Sequence, residues 1–405
     1  MMRGWSRLGR YDVLVIVAGI WFLGKSLRYA FPPLFDQLKL TFEVSNTAVG
    51  IAFTGFMIVY AIMQFPSGVL ADRFGSALVI GTGVLTAALG AAVVVLGGPF
   101  GLLVLAMLIM GAGTGAHKTV AIKLLAVTYP ARTGRTLGVF DTVGTFGGVI
   151  APLGIAGIVG YGLNWRVIFV LAAIVGILLA LAVIVRIPQQ LPDVNSETTS
   201  RSIRLRDYAV PFTDGRFLAF VILTLCFSFA YNGVVAFLPL FLVQEVGTST
   251  AVASLLYSVL FIVSVVQIVT GELADRVGPL TVITATLGTA AVSLGLLVLS
   301  PQWSGQFLGI PAITAVAVVG IGIGSHGFRP VRGAHLEALL PDSLAGGGLG
   351  AVRSALMGAG AVAPAIVGFT ADISDFTVAF ALLFGSLGIG ALIGVGLLLT
   401  RPSRE

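Results

Sequence analysis

The chain has 405 residues, 57% of them hydrophobic and only 10% charged, with a formal charge of +6 and a mean hydropathy of +1.04. A soluble domain carries about 25% charged residues, so this composition excludes a water-facing exterior and leaves lipid as the solvent. No basic run is long enough to grip nucleic acid, and a single cysteine, Cys226, excludes an intrachain disulfide.

Backbone in lipid must satisfy its own hydrogen bonds, which admits helices or a closed barrel. Barrel strands would read as ~10-residue alternating segments, whereas the apolar runs here are long and unbroken. Breaks at Gly, Pro and charge clusters predict an all-α membrane protein with twelve spans, at 12–37, 46–70, 77–97, 100–127, 137–161, 165–187, 216–243, 250–272, 279–300, 306–338, 344–371 and 375–400. Each meets the ~20 residues that a bilayer core demands.

The first span carries Lys25 and Arg28 and lacks a small-residue cleavage site, so it reads as a retained helix rather than a signal peptide. Three residues apart, the two cations share one face. The second span is followed by Gly68-Val-Leu-Ala-Asp72-Arg73-Phe-Gly75. The fourth contains Gly111-Ala-Gly113-Thr-Gly115-Ala-His117, then Lys118 and Lys123. That glycine run follows no strand, so it is a helix-packing feature and not a nucleotide loop. Asp141 in the fifth span is the one carboxylate expected deep in a helix.

The longest polar interval, 188–215, holds Pro188, Pro192, Asp193, Arg201 and Arg204. It is expected to link an N-terminal six-helix bundle, 1–187, to a C-terminal one, 216–405. The seventh span offers Tyr231 and Asn232, and the eighth is followed by Gly271-Glu-Leu-Ala-Asp275-Arg276-Val-Gly278. The tenth reads Gly320-Ile-Gly322-Ile-Gly324-Ser-His326, with Arg329 and Arg332 continuing a stripe in steps of three, and Glu337 near its end. Arg353 follows in the eleventh span, at the place that Asp141 holds in the fifth. Placing the N-terminus inside puts about 14 loop Lys and Arg on the cytoplasmic side against 2, Lys39 and Arg166, outside. Both termini are therefore expected in the cytoplasm, with the chain in the plasma membrane.

The two halves repeat in the same direction. The Gly68–Gly75 and Gly271–Gly278 segments match, and the tenth span matches the fourth with glycines and histidine in register. Leu137-Gly138 with Ala151-Pro152 matches Leu349-Gly350 with Ala363-Pro364, and Phe31-Pro-Pro33-Leu-Phe35 matches Phe237-Leu-Pro239-Leu-Phe241. These parallel repeats resemble the major facilitator superfamily over essentially the whole chain. The two Gly-x-Leu-Ala-Asp-Arg-x-Gly segments are similar to that family's most diagnostic loop, although Ser76, Ala77 and Pro279 stand where basic residues usually continue it. The resemblance implies two bundles of six helices, in pseudo-symmetry, rocking about a central site lined by spans one, four, seven and ten. Gly68, Asp72, Arg73, Gly75, Gly271, Asp275, Arg276 and Gly278 are then expected to serve gating, Asp72 against the start of span eleven and Asp275 against that of span five. A helix N-terminus favours a carboxylate by ~0.3–1 kcal/mol; tight-turn capping is the plainer reading of the same residues.

A cation at a helix centre costs ~2.5–3.5 kcal/mol. Lys25, Arg28, Lys118, Lys123, Arg329, Arg332 and Arg353 lie within or near spans, so the interior is net positive. This chemistry points to an anionic passenger. The expected substrate-binding residues are Lys25, Arg28, His117, Lys118, Tyr231, Asn232, His326 and Arg329, with Arg28 and Arg329 as the principal clamps. A guanidinium grips a carboxylate or phosphate through two parallel bonds. Arg28, ahead of Ala30-Phe31-Pro32-Pro33-Leu34, resembles the first-span arginine of the organic-anion and organophosphate exchangers.

Plainer alternatives stand beside these roles. Lys123 and Arg332 suit snorkelling to the surface, His117 and His326 suit neutral packing, and Asp141 with Arg353 suits either a structural pair or ion coupling. Met and aromatic residues in the spans read as lipid-facing or packing groups. The expected function is secondary transport of a small anion by a monomer, with a proton or cation as the coupling partner and no cofactor or metal. A drug exporter on the same fold and a non-transporting sensor are the alternatives. No nucleophile–base constellation points to an enzyme, and the lack of a Walker motif directs the energy source to a gradient.

Overall fold

The computed structural model describes residues 11–187, 213–302, 306–307, 310–339 and 347–400, the side chains of 306–311 and 347–355 lying outside that description. Residues 1–10, the first part of the expected linker 188–215, up to 212, and residues 401–405 are likewise outside it. Among the described residues, twelve helices are long and apolar enough to cross a membrane. In chain order they are α1 Asp12–Phe42, α2 Asn46–Phe74, α3 Ser76–Leu96, α4 Phe100–Thr128, α5 Thr133–Gly160 and α6 Val167–Arg186. Then follow α7 Gly215–Gln244, α8 Thr250–Val277, α9 Pro279–Leu299, α10 Ala312–Ala338, α11 Gly347–Ile373 and α12 Phe376–Leu399.

Some boundaries differ from those predicted. α1 continues through Pro32 and Pro33 to Phe42 and stops where Glu43 turns left-handed, at φ 53°. Proline is tolerated inside membrane helices because surrounding groups take over the freed backbone atoms. α2 runs to Phe74, so Gly68–Arg73 forms its last turns rather than a loop. α10 begins at Ala312, and Gln306–Phe307 pairs antiparallel with Ile310–Pro311 where helix was predicted from 306. α5 starts at Thr133, after a 3-10 turn at Pro130–Arg132.

The corners α2–α3 and α8–α9 are each one residue long. Gly75 and Gly278 adopt φ of 90° and 91°, a region an L side chain avoids. Their N–H groups donate to the Ala71 and Ala274 carbonyls at 2.9 and 3.0 Å. A residue with a Cβ could not make that corner without strain, which is why both copies of the repeat keep glycine.

The chain divides into two compact units. Unit 1 holds Met1–Val44 and Ala52–Glu197, and unit 2 holds Thr198–Glu405 together with Ser45–Ile51. In unit 1, α1 packs along α5, and α3 along α4 and α6. Its core is aromatic, with Phe31, Phe53, Phe56 and Phe169 fully buried. α6 exposes Leu171, Ile174, Leu178 and Leu181; this stripe at helical spacing is the face suited to lipid. In unit 2, α9 packs along α10 and α12, and α7 along α11 and α12. There Asp372 accepts from the backbone N–H of Asn46 and Thr47 at 3.0 and 2.7 Å, and from the Thr47 hydroxyl at 2.5 Å. It supplies the acceptors that the first turn of a helix lacks.

Glycines bring helix backbones together in both units, and they correct the repeat register. A Cβ on Gly113 would meet the Ala87 nitrogen at 2.4 Å and the Gly83 oxygen at 2.5 Å. On Gly324 it would meet the Ala290 nitrogen and the Thr286 oxygen, both at 2.6 Å. Ala87 and Ala290 stand equally far beyond Gly75 and Gly278, as do Gly83 and Thr286. Gly113 is therefore the counterpart of Gly324, not of Gly322. The same shift pairs Gly111, against the Phe56 carbonyl of α2, with Gly322, against Leu260 of α8. A run of alternating glycines looks the same after a shift of two residues, so spacing alone misaligned it. Two histidines expected to match consequently do not: His117 corresponds to Phe328, and Lys118 to Arg329.

Candidate substrate site

In unit 1 the charged side chains gather on the aromatic residues of α1. Trp21 is buried and stacks on Phe140 of α5, with ring centroids 5.7 Å apart. The ammonium groups of Lys25 and Lys118 each lie 4.9 Å from the centre of the Trp21 ring. Lys25 also donates to the Tyr29 hydroxyl at 3.4 Å. The Arg28 guanidinium lies over Tyr29 at 5.6 Å and over Tyr60 of α2 at 5.8 Å. A cation over a ring gains about 0.5–1 kcal/mol when exposed and about 2 kcal/mol when desolvated, which offsets part of the cost of three half-buried cations. Trp21, Gly24, Lys25, Arg28, Tyr60 and Thr114 line one small cavity.

Backbone contact fixes this arrangement. A Cβ on Gly144 of α5 would fall 2.0 Å from the Trp21 ring, and one on Gly147 would fall 2.5 Å from the Phe22 carbonyl and 2.9 Å from the Lys25 Cβ. Only glycines let α5 lie this close to α1. One turn before them, Asp141 meets Lys118 at 3.8 Å. The break in α4 at Ala116–His117 sets Lys118 at the start of the second helical segment.

His117 is committed to the backbone. It is 1% exposed, and its Nε2 donates to the Val17 carbonyl of α1 at 3.1 Å, since a carbonyl can only accept. Its ring lies near Trp21 and Phe140. This is the environment of a packing histidine, and it steadies Trp21 from beneath.

Unit 2 has a sparser version. Tyr231 of α7 is buried, with the Arg329 guanidinium of α10 5.5 Å from its ring centre. His326 is buried between the Tyr231 and Phe261 rings, at 6.1 and 5.9 Å. Asn232 turns back to its own helix, donating to the Ser228 carbonyl at 2.8 Å, and packs against Gly360 of α11. Arg332 is half-buried and Glu337 exposed, while the Arg353 side chain lies outside the described residues.

The repeated Asp–Arg segments make pairs of their own. Asp72 pairs with Lys123 of α4, both largely exposed, so Lys123 carries a partner rather than merely snorkelling. Arg73 lies over the Phe74 ring, and Arg276 pairs with Glu272 one turn earlier. Gly68 and Gly271 face open space on their helices, and Asp275 is exposed. The residues preceding α11, 340–346, where Asp72 was expected to reach, lie outside the described structure. Sequence reasoning missed Trp21, Tyr29 and Tyr60, taken there as packing groups. Trp21, Lys25 and Tyr29 stand four apart on one helix face, and that spacing was the available signal.

A sequence profile described as Major Facilitator Superfamily matches residues 13–325. The chain belongs to this superfamily of membrane transporters. A hexuronate transporter from Bacillus subtilis (strain 168) is 28% identical over 402 residues, covering 94% of this chain and 92% of its own length. A fosmidomycin resistance protein from Escherichia coli (strain K12) is 25% identical over 277 residues, 67% of each chain. Among solved structures, a bacterial homolog of the human lysosomal transporter Spinster superposes with a TM-score of 0.79 at 18% identity, over 98% of this chain and 99% of that one. A D-xylose–proton symporter does so with a TM-score of 0.75 at 18% identity, over 97% and 98%. These superfamily structures share the twelve-helix fold.

Proposed function

We propose that this transporter moves a small organic anion, of the size and chemistry of a sugar acid, by alternating access. The observation that carries the reading is the cluster of Lys25, Arg28 and Lys118 on the Trp21, Tyr29 and Tyr60 rings. Three cations share this site with one carboxylate, Asp141, so a bound anion offsets charge that the fold leaves in excess. Arg28 offers a bidentate fork to a carboxylate, while the buried rings hold the cations in place. Support also comes from the relative named for hexuronate, which is aligned along nearly the whole chain. In this reading Arg329 on Tyr231 is the matching cation of unit 2, and the Asp72 and Asp275 corners gate the site. Both termini lie in the cytoplasm, by the bias of loop cations.

The experiment is uptake and counterflow in liposomes, with D-glucuronate, other carboxylates, phosphate and nitrate as separate substrates. D-glucuronate or a related carboxylate is expected to exchange, and Arg28→Ala to abolish the exchange while the protein still assembles. A second reading, export of drugs, draws on the relative named for fosmidomycin resistance. Movement of hydrophobic drugs with no anion transported would replace the first reading by the second.

A further inference from the structure

Among the described residues Asp141 is the carboxylate that pairs with the cation cluster of unit 1, and the pair is loose and open. Its partner distance to Lys118 is 3.8 Å, and its side chain is 62% exposed against 33% for Lys118. Other charged side chains of these elements include Lys25 and Arg28 on α1, Arg135 on α5, and Lys123 on α4, which pairs with Asp72. His117 on α4 is committed to the Val17 carbonyl. Arg186 of α6 pairs with Asp12. Gly134, Arg135, Gly138, Val139 and Thr142 of α5 are also exposed, so the carboxylate stands on an open face. A loose, open pair of this kind is cheap to separate. Meanwhile the Lys118 ammonium already rests on Trp21, and it keeps that contact whichever carboxylate it faces.

We propose that Asp141 is a built-in stand-in for the substrate's own carboxylate. In the empty transporter it holds Lys118 beside Trp21, and the arriving anion displaces it. Asp141 thereby acts through Lys118 as a positioning residue that weakens anion binding and eases release. The inference rests on the anion reading given above, and it adds a competitor inside the protein. A transporter gains from such a competitor, because a passenger held too tightly leaves slowly. Only the difference in affinity between two states drives a cycle.

The test is equilibrium binding of D-glucuronate to the purified full-length protein in lipid nanodiscs. Asp141→Asn keeps the shape of an exposed side chain and removes its charge. It is expected to tighten binding by up to about five-fold, the range of an exposed ion pair, and D141E is expected to bind as the wild type does. Damage to the fold would weaken binding, so tighter binding is a result that a merely structural role would not produce. On a Lys118→Met background, the same Asp141→Asn change is expected to do nothing, because the pair that it breaks is already gone. Equal or weaker binding by D141N overturns the proposal, as does an equal gain on the Lys118→Met background. If D141N is not recovered folded, Asp141→Ser is read in the same way. Should the wild type bind neither D-glucuronate nor phosphate nor nitrate, the anion reading falls, and this inference with it.

Discussion

The two units share a skeleton and differ in charge. Gly113 against Ala87 and Gly324 against Ala290 are the same seam twice, with near-equal distances. On that shared frame Lys118 lies over Trp21 in one unit and Arg329 over Tyr231 in the other. Unit 1 then adds Lys25, Arg28 and Asp141. At the equivalent α7 positions unit 2 has Tyr231 and Val234 in place of Lys25 and Arg28. Duplication passed on the close-packed seams, because any Cβ there collides with backbone. Charge diverged at positions where side chains rather than backbone set the limits: half-buried Lys25 and Arg28 in one unit, buried Tyr231 and Val234 in the other.

Substitutions can break that comparison, and the seams are expected to be most sensitive. Gly113→Val and Gly324→Val each force side-chain atoms within 2.4–2.6 Å of backbone. Each is expected to cost at least about 3 kcal/mol and to leave little folded protein by size-exclusion in detergent. If one of the pair is tolerated and the other is not, the two seams are not equivalent. Next come the cations. Arg28→Ala is expected to lower D-glucuronate counterflow by about 30-fold or more, and Arg329→Ala by a smaller factor of about 10; equal losses would erase the asymmetry between the units. Trp21→Leu, which removes the ring beneath two ammonium groups, is expected to weaken binding by several-fold, and Trp21→Phe by less. The smallest expected effect on stability is that of Asp72→Asn. Its pair with Lys123 is exposed and is worth up to about 1 kcal/mol. A transport defect in Asp72→Asn, at unchanged thermal stability, would assign that corner to gating rather than to holding the fold.

Composition and span length sufficed for the twelve helices, since lipid leaves a chain this apolar few other options. The family followed from two copies of one short motif. Helix ends were less accessible, because Pro32, Pro33 and Asp72 look like terminators in water and are carried inside helices here. Individual charges such as Arg28 stood out against apolar runs, but their partners did not. Tyr60 and Lys123 come from other helices, and tertiary pairing leaves no local pattern to read. The histidine match was an accident of spacing. His117 and His326 look alike in the sequence because glycine alternates around both, yet one bonds a carbonyl of α1 while the other rests between two rings.

The one-residue corners at Gly75 and Gly278 bear on how each unit can deform. A connection with no spare length cannot absorb a displacement, so α2 and α3 form a single lever, and so do α8 and α9. Asp72, which meets Lys123, stands on one of the two helices that the Gly75 corner joins, and Gly83 and Ala87, the seam on which Gly113 rests, stand on the other. Four residues farther along α4 is His117, bonded to the backbone that carries Trp21. One residue inserted at Gly75 is expected to change transport if the corner transmits motion, while leaving every side chain of the cation cluster unchanged in kind.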